Sequence, residues 1–164
     1  LDSQNNIFIV DSENHRVRMV DSTTGLISTV AGIGKHYERT PYAYMGYGAL
    51  YDASKSPASG AGYEGDGGLA TKAMLQTPSG IDVDSEGNIF IGDGGIRVRR
   101  VDGNTGIITT LVAGEIEHTL KEGKVQVVTM ILGQIVSLAL NGTGDIFLAD
   151  YKNNVVHKIP VSVP

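Results

Sequence analysis

The chain has 164 residues, 41% hydrophobic and 19% charged, with a net charge of −5. This composition predicts a globular chain rather than a disordered one, and its acidic balance argues against a phosphate-backbone partner. Cysteine is absent, which excludes disulfides, Cys-ligated zinc, iron–sulfur clusters and thiol nucleophiles, and no apolar run approaches the ~20 residues that span a bilayer.

Glycine is the compositional outlier, at 22 residues with only five prolines, which predicts many tight turns between short strands. In chain order, Ile7–Val10 reads as a strand bounded by Asn5-Asn6 and Asp11-Ser12. Residues 16–20 alternate Arg16, Val17, Arg18, and a third strand, 25–31, follows the turn Ser22-Thr23-Thr24-Gly25. A long connector, 33–79, holds six of the seven tyrosines and ends in one helical turn at 70–75, with Ala70, Ala73 and Met74 at helical spacing. Strands then follow at 80–84, 88–92, 96–101 and 106–113, a second connector at 115–134, and strands at 135–140, 145–149 and 154–159.

Three segments align, at 1–32, 83–114 and 140–164. Ile7-Phe8-Ile9, Ile89-Phe90-Ile91 and Ile146-Phe147-Leu148 share one set of columns, and Asp11, Asp93 and Asp150 share another. Repeated units of four short antiparallel strands make an all-β fold of β-propeller blades, because one such sheet cannot bury its faces alone. With strands lettered a to d from the channel outwards, the chain reads as a partial blade b-c-d (1–32), a complete blade (80–114) and a partial blade a-b-c (135–164).

The units resemble NHL repeats. The resemblance is carried by Gly62-Tyr63-Glu64-Gly65-Asp66-Gly67-Gly68-Leu69-Ala70-Thr71, by Arg97-Val98-Arg99-Arg100-Val101-Asp102, and by Thr105 to Thr110 with Val112-Ala113-Gly114. The third unit departs from it: Ile135-Val136-Ser137 stands where 78–80 read Pro-Ser-Gly, and Val155 stands where the other units have Arg16 and Arg97. Ring closure takes roughly 4–8 blades, and the resemblance implies about six. The expectation is therefore an incomplete propeller, completed by the remainder of its own propeller or by a partner chain.

The candidate site residues fall into four groups. Asp11, Asp93 and Asp150 end the b strands; a cation-holding ring is one reading, and turn structure repeated once per blade is the favoured one. Arg16, Arg18, Arg97, Arg99 and Arg100 make a basic stripe that could meet RNA, but outward-facing arginines paired with neighbouring carboxylates fit the acidic total better. Glu64 and Asp66 are weak candidates for calcium, without EF-hand spacing, and no cofactor is otherwise expected. Tyr37, Tyr42, Tyr44, Tyr47, Tyr51 and Tyr63 make a candidate contact surface for a protein partner, since tyrosine offers broad area with a polar tip.

Other patterns carry less. The G-x-G-x-x-G at 60–65 lacks the strand and βαβ unit that nucleotide binding requires. Asn141-Gly142-Thr143 reads as a hairpin turn rather than a glycosylation acceptor. None of His15, His36, His118 or His157 falls on an inner strand, and no nucleophile–base–acid set is visible. The expected role is a non-enzymatic scaffold binding through its face loops. The alternative is part of a propeller enzyme, a metal-dependent lyase or hydrolase, with its site on other blades.

Overall fold

The computed structural model describes residues 1–34, 63–116 and 130–160. The first sheet holds β1 (Ile7–Asp11), β2 (Arg16–Val20) and β3 (Ile27–Ala31) in that order. The second runs through β4 (Gly80–Val83), β5 (Ile89–Asp93), β6 (Arg97–Val101) and β7 (Ile108–Ala113). It then continues into a short pair, β8 (Glu115–Ile116) and β9 (Met130–Ile131). The third sheet holds β10 (Ile135–Leu140), β11 (Ile146–Asp150) and β12 (Val155–Ile159). Every pairing is antiparallel between chain neighbours. These are β-propeller blades that do not close into a ring.

Short polar loops set the strand ends, and they repeat. Asp21 Oδ1 accepts the amides of Thr23 and Thr24 and the Thr24 hydroxyl. Asp102 Oδ1 does the same for Asn104 and Thr105. Each loop thus caps itself before the chain turns into the outermost strand. At the same end of the blades, after β4 and β10, Asp84 Oδ1 accepts the amides of Glu86 and Asn88, and Asn141 Oδ1 those of Thr143 and Asp145. Asp2 Oδ1 accepts the amides of Gln4 and Asn6, which marks the same corner in the first blade.

The core lies between sheets rather than within any one of them. Ile89, Ile91, Val101 and Ile108 of the second blade pack on Val17 and Ala31 of the first, with Ala70, Ala73 and Leu75 of the connector wedged among them. Phe90, Val98 and Val112, on the reverse face, pack on Ile135, Leu138, Ile146, Leu148 and Ile159 of the third. Alternation along a strand therefore sends isoleucine to one neighbour and phenylalanine to the other. Each fully buried side chain of this size stabilises by about 1.5–3 kcal/mol.

The two end blades show what a missing neighbour does to the same columns. Ile7, Ile9 and Ile27 are 49%, 40% and 53% exposed, whereas their counterparts Ile89, Ile91 and Ile108 are buried. At the other end Val156 is 68% exposed where Val98 is fully buried.

Two structural differences from the sequence reading stand out. Twelve strands are present among the described residues rather than ten, because β8 and β9 pair inside the second connector. Two-residue strands carry no alternation to read. Arg99 does not face outwards: it is among the largest fully buried side chains. Arg99 lies on the face that the connector and the first blade cover, with Asp66 and Met74 at its guanidinium, so it has no solvent side to occupy.

Candidate functional site

In each blade strand a starts, strand b ends, strand c starts and strand d ends at one common face. In the second blade the pairs Gly80 with Gly92, Asp93 with Arg97 and Arg97 with Ala113 fix this arrangement. The face gathers the b–c turns and the loops entering the a strands. Gly34 follows β3, which ends at this face, and the chain is described again from Tyr63, whose ring lies against Arg97 at the start of β6 there.

The aligned aspartates are the joints of this face. Asp150 Oδ2 accepts the Gly133 amide at 2.8 Å and Oδ1 the Gln134 amide at 3.0 Å, both from the loop leading into β10. It also accepts the Asn153 amide at 3.2 Å and lies 3.1 Å from His157 Nε2. Burial works to raise its pKa, but these donors outweigh it and hold the carboxyl well below the usual range. Asp93 likewise accepts the Gln76 amide from the loop entering β4, and its other oxygen takes Arg99 Nη1 at 3.3 Å. Here burial wins and pushes the carboxyl up to about 6. Asp11 accepts Asn14 Nδ2 at 2.7 Å and Arg16 Nε at 2.6 Å. Burial opposes, but these donors lower its pKa.

Arg99 is the hub that the sequence reading missed. Its Nη2 donates to Asp66 Oδ1 at 2.7 Å, and its Nη1 also reaches the Met74 carbonyl at 3.3 Å. Asp66 Oδ2 accepts the Thr110 amide at 3.0 Å. The calcium candidate Asp66 is thus committed to locking the connector onto the second blade. Glu64 meets Met74 through its backbone carbonyl. Among the described residues no group of three or more His, Cys, Asp or Glu side chains converges to hold a metal ion. The connector's sharp path requires Gly65, at φ +102° and with its Cα so near Ala73 that an added Cβ would sit 2.7 Å from the Ala73 Cα. The signal for this hub was present in the sequence as an Asp within a glycine run, placed before a strand with three arginines.

The other arginines are engaged as well. Arg16 pairs with Asp11 and Arg100 with Asp102. The Arg97 guanidinium lies 3.9 Å from the centroid of the Tyr63 ring, and Tyr63 is itself half exposed. Of the six tyrosines expected as a contact surface, Tyr63 is described; Tyr37, Tyr42, Tyr44, Tyr47 and Tyr51 lie outside the described residues, as do His36 and His118.

Between the b–c turns and the a-strand entries runs a groove of about 690 Å³, lined by Ser12, Thr77, Gly94, Gly95, Gln134 and Lys152 among others. Its walls are stitched across blades. Ser12 donates its hydroxyl to the Pro78 carbonyl, Ser79 donates to the Ile135 carbonyl, and the Thr77 amide donates to His15 Nδ1 at 3.0 Å. The groove is polar, rigidly framed and open. The inner-strand residue Asp82, half-buried, lines a separate groove beside Asp84, Glu86 and Asn141, and it accepts the amides of Val83 and of Leu140 in the next blade. No described helix is long and apolar enough to cross a membrane.

The model of the Teneurin NHL domain family matches residues 55–160. Mouse Teneurin-4 is 39% identical over 107 residues, which is 65% of this chain and 3% of that protein. The chloroplastic protein SUPPRESSOR OF QUENCHING 1 of Arabidopsis thaliana is 25% identical over 157 residues, 94% of this chain and 13% of that protein. A Bacteroides thetaiotaomicron crystal structure of a protein of unknown function superposes with a TM-score of 0.59 at 18% identity, covering 93% of this chain and 32% of that one. The chain thus spans a small part of the curated relatives it matches.

Proposed function

Because the chain belongs to the Teneurin NHL domain family, we propose that it is a non-enzymatic interaction scaffold, part of a larger propeller that binds a protein partner through the loops of one face. The observation that carries this reading is the groove of about 690 Å³ on the face where the b–c turns and a-strand entries meet. Its hydroxyls, amides and single ammonium suit a polar partner surface, and the carboxylates around it are engaged in holding loops together. Tyr63, fixed over Arg97 at the rim, presents an aromatic face with a charged neighbour. The described residues that flank the segment carrying Tyr37, Tyr42, Tyr44, Tyr47 and Tyr51 are Gly34, which follows the end of β3, and Tyr63, which lies over Arg97 at this face; those tyrosines are the proposed contact residues.

The test compares the chain with a variant in which residues 35–60 are replaced by a short Gly-Ser linker. Partner capture should be lost while the β-sheet circular dichroism signal and melting cooperativity persist. Equal capture by both forms refutes the tyrosine surface.

A further inference from the structure

The first blade carries, on its outer face, the same receptor that the second blade uses to hold a connector. In the second blade Arg99 pairs with Thr110 across the sheet, and Asp66 bridges the two, accepting from Arg99 Nη2 and from the Thr110 amide. In the first blade Arg18 pairs with Thr29 in the same register, with the same irregularity one residue earlier. Beside them stand Ile7, Ile9 and Ile27, the counterparts of the three isoleucines that the Ala70–Leu75 segment helps to bury.

The fork of Arg18 is used differently from that of Arg99. Its Nη1 donates to the Thr29 hydroxyl at 3.1 Å, its one hydrogen bond among the described residues. The carboxylate of Asp11, in the same sheet, is already shared between Asn14 and Arg16. The Nε atoms of both Arg18 and Arg99 are buried without a partner, so the difference between the two lies at the end of the fork. Arg99 meets a carboxylate there, and Arg18 meets a neutral hydroxyl. A guanidinium fork, a strand amide and three bared isoleucines together match one chemistry: an acidic, glycine-rich connector followed by small apolar residues.

We propose that the outer face of the first blade docks a further connector segment, acidic and glycine-rich, that presents a carboxylate to Arg18 and Thr29 as Asp66 does to Arg99 and Thr110. This rests on the reading of the chain as part of a larger ring, and it adds the recognition chemistry at the seam. The connector's apolar residues cover Ile7, Ile9 and Ile27. Continuity with the seam between the first and second blades, where the same register and columns are already occupied, supports this occupant over an unrelated surface.

The probe is a synthetic peptide of residues 63–83, which holds Asp66, Ala70, Ala73, Leu75 and the a strand. Titrated into the intact 164-residue chain and followed by calorimetry, it should bind with one-to-one stoichiometry. Arg18→Met in the chain should weaken binding about tenfold, as should Asp66→Asn in the peptide, which leaves the chain untouched. The two changes together should weaken it no further than either alone. Absence of binding overturns the proposal, and so does binding indifferent to Arg18→Met, which would mean that the peptide displaces the chain's own connector instead. Replacing 35–60 by the linker should leave peptide binding unchanged, so failure here is separable from failure of the face-loop scaffold.

Discussion

Asp66 Oδ1 stands 2.7 Å from Arg99 Nη2 across 33 residues of chain, and this pair fastens a glycine-rich connector to the blade that follows it. The two partners are unequally placed: Arg99 is fully buried, whereas the Asp66 side chain is 46% exposed. Arg99→Met should be the costlier change, at about 3 kcal/mol, because it leaves Asp93 buried without its cation. Asp66→Asn should cost about 1 kcal/mol, since solvent screens that partner. Urea unfolding of both variants checks the ranking, and the reverse order would contradict the hub.

Asp93 should give stability an unusual pH slope. Its folded pKa, about 6, lies above the ordinary 3.8. Between those values the folded chain binds more protons than the unfolded one, so stability from this group falls as pH rises and levels off above about 6. The stability of the native chain minus that of Asp93→Asn should decline by about 2 kcal/mol from pH 4 to 7. A difference that rises over that window would show the carboxyl to be depressed instead.

Asp150 works with the opposite sign. Its carboxyl is held below the ordinary value, so its contribution is present above that value and is lost as pH falls through the folded pKa. Asp150→Ala removes the acceptor of the Gly133, Gln134 and Asn153 amides. The expected cost is about 3 kcal/mol, together with faster amide exchange at Gly133 and Gln134 in particular. Protection that stays unchanged at those two amides would show the joint to be dispensable.

The repeat was legible because its strands are regular. Ile7-Phe8-Ile9 and its two copies alternate with period two, and an Asp-x-x-Thr-Gly loop marks the same corner at 21–25 and 102–106. Arg99 was not legible as a buried residue, because alternation tells which residues share a face and not whether that face meets solvent. Its burial follows from the packing of a neighbouring blade and of the connector, which are non-local. The b-strand aspartates were read as capping the following turn. Asp150 does so through Asn153, but the structure adds the loop entering strand a, which brings Gly133 and Gln134 back to it. The pair β8 and β9 left no trace, being two residues each.

Two glycines with positive φ separate backbone strain from close approach. Gly87 has φ +80° and nothing within 4 Å of an added Cβ, so Gly87→Ala should cost about 1 kcal/mol from the backbone alone. Gly65 has both the positive φ and the contact with Ala73. Gly65→Ala should cost at least about 2 kcal/mol, because backbone strain and steric displacement combine. Thermal melts of the two variants, if equal, would show that the connector does not press on Ala73.

Sedimentation velocity of the isolated 17.3 kDa chain tests the arrangement as a whole. Blades that bury their apolar columns only against neighbours leave Ile7, Ile9 and Ile27 at one end and Val156 at the other without cover. The chain should therefore associate, with a sedimentation coefficient that climbs as concentration is raised. A single species of monomer mass, stable and indifferent to concentration, would contradict the open arc of blades.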